Sequence, residues 1–191
     1  EPRWLFFRSM AAGRPYLMLM NNDYASTGQR MSEYFEQCLF YAVYPSAFHG
    51  HSSLANVPYF SNPSWYNRDR HLFVKYLPLI RKLDAAGWEP VPCAAAEPET
   101  MRVERYGTVA DGDLAFTVHN PTDAAQPVAL SLLRNELGLG GEVQVVESIH
   151  QWPVTVQPAE ETVELRFDLP PRGYAMLSCD VTQSSASAAP R

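Results

Sequence analysis

A short polar segment, Asn21-Asn22-Asp23, directly follows a continuously apolar run at residues 16–20. The run has the length and composition of a parallel strand buried on both faces. Ligands of α/β barrels bind where the parallel strands end. The amides of Asn21 and Asn22 and the carboxylate of Asp23 could therefore bind a ligand's hydroxyl groups, and Asp23 could also act as acid, base or nucleophile. The same residues could instead turn the chain and cap the next helix; the pattern leaves both interpretations open and favours contact over catalysis.

A second polar segment contains His49 and His51, separated by one glycine, in a loop rich in Ser, Asn and Pro. Two histidines at this spacing could share a metal ion, but zinc sites use three or four protein ligands. No further residue of a suitable type lies near these two in the sequence. We therefore predict no metal and no other cofactor, and expect His49 and His51 to contact a ligand or to be ordinary polar loop residues.

The composition excludes several classes of function. The net charge is −6 with no basic run, which argues against a nucleic-acid partner. No apolar stretch approaches the roughly 18 residues that a membrane-spanning helix needs, so we expect a soluble chain. The three cysteines are widely separated and signal neither a zinc site nor a disulfide framework. Hydrolase triad, phosphate-binding and dinucleotide-binding motifs are also missing from the sequence.

Helical periodicity dominates the first half of the chain. One apolar stripe predicts a helix through Met31, Tyr34, Phe35, Cys38 and Leu39. A second predicted helix begins at Asn67 or Asp69 and ends at Gly87. On these helices we expect Glu33 and Glu36 to lie on a solvated face, and Arg68 to form a local ion pair.

The second half of the chain changes to an alternating, strand-like period. About six or seven short strands between residues 101 and 181, separated by turn signals, predict an antiparallel β-sandwich. Residues 93–100, rich in Ala and Pro, are predicted to be a linker, and residues 182–191 a flexible tail. The predicted organisation is thus an α/β segment at 1–92, a linker at 93–100 and an all-β domain at 101–181.

Three stretches of the first half resemble the closing strands and helices of bacterial glycoside-hydrolase-like proteins. They are residues 16–23 (YLMLMNND), 31–46 (MSEYFEQCLFYAVYPS) and 65–90 (WYNRDRHLFVKYLPLIRKLDAAGWEP). Residues 103–107 (VERYG), 116–121 (FTVHNP) and 169–174 (LPPRGY) are similar to strands of the β-sandwich that follows such barrels. The resemblance implies an α/β plus all-β protein, in which the last strand-helix units of a TIM barrel precede an antiparallel sandwich.

This resemblance also implies an incomplete barrel. A complete (β/α)8 barrel takes about 250 residues, so residues 1–92 are too few. We therefore expect the chain to be the C-terminal fragment of a carbohydrate-active enzyme, packing against the missing N-terminal part of the barrel. The substrate would be an oligosaccharide or polysaccharide, and the sandwich would have a supporting role.

The resemblance places the substrate contacts at Asn21, Asn22, Asp23, His49 and His51. Aromatic residues of the same loop would stack on sugar rings or anchor the loop on the barrel; they are Tyr59, Phe60, Trp65 and Tyr66. Glycoside hydrolysis uses a pair of carboxyl groups, and only Asp23 is well placed. The catalytic pair is thus expected upstream, with no catalytic residue assigned in this chain. The alternative is a non-catalytic carbohydrate-binding or structural β-sandwich module with an α/β adapter.

Overall fold

The computed structural model describes residues 2–10, 14–20, 28–47 and 59–182. The chain divides into two compact units, Glu1–Trp88 and Glu89–Arg191. The boundary therefore lies a few residues before the interval 93–100, which was predicted to be a linker.

Helices dominate unit 1. Its elements are α1 (Pro2–Met10), β1 (Leu17–Met20), α2 (Gly28–Phe40), β2 (Tyr44–Ala47), a 3-10 turn (Tyr59–Ser61) and α3 (Pro63–Ala86). The predicted apolar stripe of α2 is confirmed, because its members Met31, Tyr34, Phe35, Cys38 and Leu39 are all buried. A periodic stripe of this kind folds as a helix because it places its apolar side chains on one face.

The two strands of unit 1 form a parallel pair. Leu17 lies opposite Tyr44 and Met20 opposite Ala47, so the strands end side by side. The Tyr34 hydroxyl donates to the Met18 carbonyl, and the Ser46 amide donates to the Tyr34 hydroxyl at 2.8 Å, which ties α2 to both strands. The parallel pairing expected for residues 16–20 is confirmed.

Burial of this strand on both faces is not observed. Met18 is buried, but Leu17 and Leu19, which point to the opposite face, are 65% and 54% exposed. Within the described residues the sheet has two strands, which leaves that face without neighbouring elements. Within the described residues, therefore, β1 is buried on one face; the remaining strands of the barrel are expected outside this chain.

The start of α3 also differs from the prediction. Asn62, rather than Asn67 or Asp69, is the N-cap: its side chain accepts from the Ser64 amide at 3.0 Å. Pro63 occupies the first turn, where a missing backbone donor costs nothing. The predicted end of the helix is confirmed. Gly87 is the C-cap, with a positive φ of 84°, and its amide donates to the Leu83 carbonyl.

Unit 2 is built from two sheets. Its elements are β3 (Trp88–Glu89, at the boundary), β4 (Ala94–Glu97), β5 (Arg102–Tyr106), β6 (Ala115–His119), β7 (Gln126–Leu133), α4 (Arg134–Leu137), β8 (Glu142–Glu147), β9 (Thr155–Pro158), β10 (Thr162–Leu169) and β11 (Tyr174–Thr182). One sheet has the strand order β4-β7-β10-β9 and the other β3-β5-β6-β11-β8. All neighbouring strands of the first sheet pair antiparallel, and so do the neighbours in the order β5-β6-β11-β8 of the second.

One hydrophobic core lies between these sheets. It takes alternate residues from both, for example Leu130 and Leu165 from the first sheet and Phe116 and Leu177 from the second, all fully buried. Alternation of buried and outward residues is what a strand with one solvated face requires. Two antiparallel sheets that share one core, in a mixed α/β chain, are consistent with a fold that contains a β-sandwich.

The interval 93–100 is not a linker. Ala94–Glu97 form β4, which pairs with β7 at the edge of the four-stranded sheet. Three alanines give no strong apolar alternation and have a low strand propensity, so the strand depends on its pairing with β7. The sandwich unit therefore starts earlier than residue 101, and its last strand continues to Thr182, one residue into the interval predicted as a tail.

The tight turn between β10 and β11 requires glycine at position 173. A Cβ on Gly173 would lie 2.6 Å from Pro170 Cγ and 2.9 Å from the Pro170 carbonyl oxygen. We expect Gly173→Ala to lower the free energy of unfolding of unit 2 by about 1–3 kcal/mol, the usual cost of overpacking. Urea denaturation measures this.

Gly140→Ala is the matched control, because a Cβ there would meet nothing within 4 Å. We expect it to change the free energy of unfolding by less than about 0.5 kcal/mol, as surface substitutions usually do. Equal effects of the two variants would contradict the steric explanation.

Candidate ligand-binding sites

Most of the residues predicted to contact a substrate lie outside the described residues. They are Asn21, Asn22, Asp23, His49 and His51. The described strands nevertheless end next to each of these segments: β1 ends at Met20, β2 ends at Ala47, and these two residues are paired. The sequence segments that carry the predicted residues thus follow two strand ends at one edge of the same parallel sheet.

Trp65 and Tyr66 lie in the first turn of α3 and are half-buried. The Tyr66 ring centroid is 5.9 Å from that of Phe60 and 6.3 Å from that of Phe73. Tyr59 is fully buried, whereas Phe60 is 58% exposed. Tyr59 therefore fits the anchoring role left open by the sequence, whereas the ring of Phe60 is accessible to a ligand and those of Trp65 and Tyr66 are partly so.

A buried carboxylate, Asp69, stabilises this aromatic cluster. It is 2% exposed and accepts from the Tyr59 hydroxyl at 2.8 Å. Arg68 donates to both oxygens of Asp69, at 2.7 Å from Nε and 2.8 Å from Nη2. This pairing raises the pKa of the Arg68 guanidinium, chiefly through the hydrogen bond with Asp69. The local pair predicted for Arg68 is confirmed, and a carboxylate held in this way has a structural role.

Glu36 does not lie on a fully solvated face. It is half-buried, and the Tyr76 hydroxyl donates to its Oε1 at 3.2 Å. Burial raises the pKa of the Glu36 carboxyl above its ordinary value of 4.5, partly offset by the Tyr76 hydrogen bond and by Lys75. The sequence pattern predicted a solvated position because Glu36 lies beside the apolar stripe of α2. It could not show that Tyr76 of α3 packs next to this position.

The raised pKa makes unit 1 less stable when Glu36 ionises. A folded state that binds the proton more tightly than the unfolded state loses this stabilisation as the pH rises through the folded pKa. At pH 7 we therefore expect Glu36→Gln to raise the melting temperature by roughly 1–3 °C, since half-burial limits the effect. The difference should vanish below about pH 4.5, where the carboxyl is protonated in both states.

Circular dichroism at 222 nm, followed during heating between pH 3.5 and 8, reports the helices of unit 1. Glu33→Gln is the control, because Glu33 is exposed on the same helix, and it should change the melting temperature less. A pH-independent effect of Glu36→Gln would contradict the assignment.

Unit 2 carries a groove that no sequence feature had predicted. It lies over the four-stranded sheet on the face turned away from the core, with a volume of about 930 Å³. Its lining includes Glu97, Ala129, Trp152, Thr155, Arg166 and Asp168. We call it the outer groove. The sequence pattern shows the outward register of β10, in which Arg166 and Asp168 alternate with buried Leu165 and Phe167, but this register alone does not locate a groove.

The loop that carries Trp152 is held by a buried carboxylate. Glu147 is 1% exposed and accepts from the amides of Ile149 at 2.9 Å and His150 at 2.7 Å. Longer contacts come from the amides of Trp152 at 3.4 Å and Met176 at 3.3 Å. The His150 and Trp152 rings stack with centroids 4.1 Å apart. Glu147 thus fixes the position of the aromatic side of the outer groove.

A buried amide organises a second part of the lining of the outer groove. Asn120 is fully buried, and its Nδ2 donates to the carbonyls of Ala124 at 2.8 Å and Pro170 at 2.9 Å. Its Oδ1 accepts from the amide and the hydroxyl of Thr122 at 3.0 and 2.7 Å. Asn120 thereby joins the turn before β7 to the turn after β10.

Metal-ligand clusters and membrane-spanning helices are both missing from the described part of the chain. In residues 2–10, 14–20, 28–47 and 59–182, no three His, Cys, Asp or Glu side chains come together as a metal site would require. Among the helices that the structure describes, none has both the length and the apolar character needed to cross a lipid bilayer.

Comparison with known proteins finds little sequence similarity. No protein-family model matches the chain, and no curated protein sequence matches it. One similar solved structure is a crystal structure of an AmyP variant in complex with maltotriose, at 11% identity and a TM-score of 0.48. The match covers 89% of this chain and 42% of the AmyP chain, so this chain spans less than half the length of that protein. A likeness of this size indicates neither a family nor an activity.

Proposed function

We propose that this chain is the C-terminal part of a glycosidase-like, carbohydrate-active enzyme that hydrolyses O-glycosidic bonds in an oligosaccharide or polysaccharide. Unit 1 contributes the last strand-helix units of a (β/α)8 barrel, and unit 2 is the β-sandwich that supports it. The catalytic carboxylates lie on strands of the intact protein outside this chain, so the chain alone is inactive.

The parallel pair of unit 1 is the observation that carries this proposal. A helix, α2, connects β1 to the parallel strand β2, and this strand-helix-strand unit is the element from which such barrels are built. Strands β1 and β2 end at the paired residues Met20 and Ala47. In the sequence, the polar segments 21–23 and 49–51 come shortly after these two strand ends. Barrel enzymes take their substrate contacts from loops at these ends.

Exposed apolar side chains on β1 favour the proposal, which requires further strands in the intact protein. Leu17 and Leu19 point to the same face of the sheet, and more than half of each side chain is exposed. Parallel sheets are covered on both faces in nearly all proteins. In the intact barrel this face belongs to the packed interior, which removes the two leucines from water.

Asp23 and the two histidines receive roles as substrate contacts under this proposal. Asn21, Asn22 and Asp23 follow β1, and His49 and His51 follow β2. Their amide, carboxylate and imidazole groups bind sugar hydroxyls. The acid and its partner carboxylate, separated by about 5–5.5 Å in a retaining enzyme or about 6.5–9.5 Å in an inverting one, come from upstream strands.

The gene upstream of the codon for Glu1 tests this proposal. We expect an open reading frame that continues for roughly 200 residues or more, enough to complete a barrel, with alternating strand and helix patterns and Asp or Glu at strand ends. An in-frame stop codon close to Glu1 would contradict the proposal and would leave a non-catalytic binding or structural module.

A further inference from the structure

We propose that the outer groove of unit 2 binds a neutral oligosaccharide, as a site separate from any catalytic centre. The class of ligand rests on the proposed function; the position of the site rests on the geometry of unit 2 alone. A volume of about 930 Å³ lies within the range of natural ligand sites, about 300–1,000 Å³.

The floor of the outer groove is a row of side chains across the sheet. Arg166 lies between Ala129 of β7 and Thr155 of β9, while Glu97 of β4 lies on the other side of Ala129. Neighbouring strands are about 4.8 Å apart, which puts Glu97 and Arg166 roughly 10 Å from each other. The small side chain of Ala129 leaves the space between these two charged groups open to a ligand.

Hydrogen-bonding groups of the outer groove have capacity left for a ligand. The Arg166 Nε donates to Glu164 at 2.6 Å, and its two Nη groups have no partner among the described residues. Within the same described residues, the carboxylates of Glu97 and Asp168 form no hydrogen bond or ion pair. A guanidinium donor beside two carboxylate acceptors matches sugar hydroxyls, each of which both donates and accepts.

Rigid apolar groups form the walls of the outer groove. The indole of Trp152 and the rings of Pro127 and Pro170 all line it. Flat apolar rings of this kind pack against the C–H face of a pyranose. Because Glu147 and Asn120 fix the loops that carry these walls, little conformational entropy is lost when a ligand binds.

The charge of the outer groove selects against anionic ligands. Its carboxylates at Glu97 and Asp168 face a single guanidinium, which is itself paired with Glu164. Like charges that meet at a binding surface suppress the wrong partner. A neutral glycan therefore fits this surface, whereas an acidic glycan or a nucleic acid does not.

Titration of the full 191-residue chain with three neutral probes, maltohexaose, cellohexaose and xylohexaose, tests this inference by calorimetry. We expect at least one probe to bind saturably. The double variant Arg166→Ala/Asp168→Ala should weaken that binding at least about tenfold, the factor expected from losing hydrogen bonds to charged groups. Both side chains are exposed on the outer face, so the melting temperature should stay unchanged.

Asp180→Ala is the matched control, because Asp180 is exposed on β11 and does not line the outer groove. It should leave the affinity unchanged. The inference is overturned if none of the neutral probes binds, if the double variant binds as tightly as the native chain, or if a trigalacturonate probe binds equally well. Binding of a proline-rich peptide in place of sugar would overturn it as well.

The outcomes separate this inference from the proposed function. Sugar binding that depends on Arg166 and Asp168, together with a stop codon next to Glu1, would support the binding site in the outer groove and contradict the proposed enzyme. A continuous upstream reading frame, with no sugar binding by the native chain, would support the proposed enzyme and contradict the binding site in the outer groove.

Discussion

Replacing Glu147 by alanine is expected to lower the free energy of unfolding of unit 2 by about 3 kcal/mol, because buried amides that now donate to a carboxylate lose their acceptor. The amides of Ile149 and His150 lie 2.9 and 2.7 Å from the Glu147 oxygens, and the side chain is 1% exposed. Glu147→Gln should be harmful too, since its amide nitrogen would face a backbone N–H donor.

Urea denaturation gives the free energy, and hydrogen exchange of peptides from β8 and β11 shows where protection is lost. Glu160→Ala is the control, because Glu160 is exposed in the turn between β9 and β10. It should change the stability by less than about 0.5 kcal/mol. A loss below about 1 kcal/mol for Glu147→Ala would mean that the loop is held by other contacts.

Asn120→Ala is expected to cost about 3 kcal/mol, the second large effect in unit 2. The substitution removes two donated and two accepted hydrogen bonds at a fully buried position. The carbonyls of Ala124 and Pro170 each keep one other donor, the Thr122 hydroxyl at 3.1 Å and the Gly173 amide at 3.0 Å. The Thr122 amide loses its side-chain acceptor, which costs about 1–3 kcal/mol, and the other lost hydrogen bonds contribute about 0.5–1.5 kcal/mol each. The turns before β7 and after β10 should also exchange their amide hydrogens faster.

Asn135→Ala provides the comparison for Asn120→Ala. Asn135 is exposed in α4, and its backbone carbonyl accepts from the Gly138 amide. This variant should unfold at nearly the native urea concentration, because alanine keeps the backbone contact. If both substitutions moved the midpoint equally, the amide network of Asn120 would not be the cause.

Sequence patterns were sufficient to predict the long, regular elements. Strand β10 alternates large apolar residues such as Leu165 with polar ones, and β7 carries Val128, Leu130 and Leu132 at every second position. The existence and the buried face of both strands follow from this period. The helix α2 is predictable for the same reason, since its stripe repeats every three or four residues.

Short or weakly patterned elements could not be predicted in this way. Strand β4 consists of three alanines and Glu97, and its structure depends on pairing with β7, more than thirty residues away. The N-cap of α3 was missed because Asn67 and Asp69 are equally good caps in isolation, and the choice of Asn62 depends on the Pro63 that follows.

The candidate sites show the same division. The polar segments after β1 and β2 could be found because they follow apolar runs directly along the chain. The outer groove could not, since Glu97, Ala129, Trp152 and Arg166 come together only through the strand order β4-β7-β10-β9. Buried polar groups such as Glu147 and Asn120 could not be identified from the sequence either, because their contribution to stability depends on the amides and carbonyls that the fold brings to them.

Hydrolysis by the intact polypeptide tests the central claim most directly. The whole open reading frame that contains these 191 residues would be expressed and incubated with a panel of neutral oligosaccharides and polysaccharides, and released reducing ends would be measured. We predict hydrolysis that is lost when the upstream carboxylates at strand ends are replaced by amides, and no hydrolysis by the 191-residue chain alone. Hydrolysis that persists without those carboxylates, or a folded intact polypeptide that cleaves no glycosidic bond in the panel, would contradict the assignment as part of a glycosidase-like enzyme.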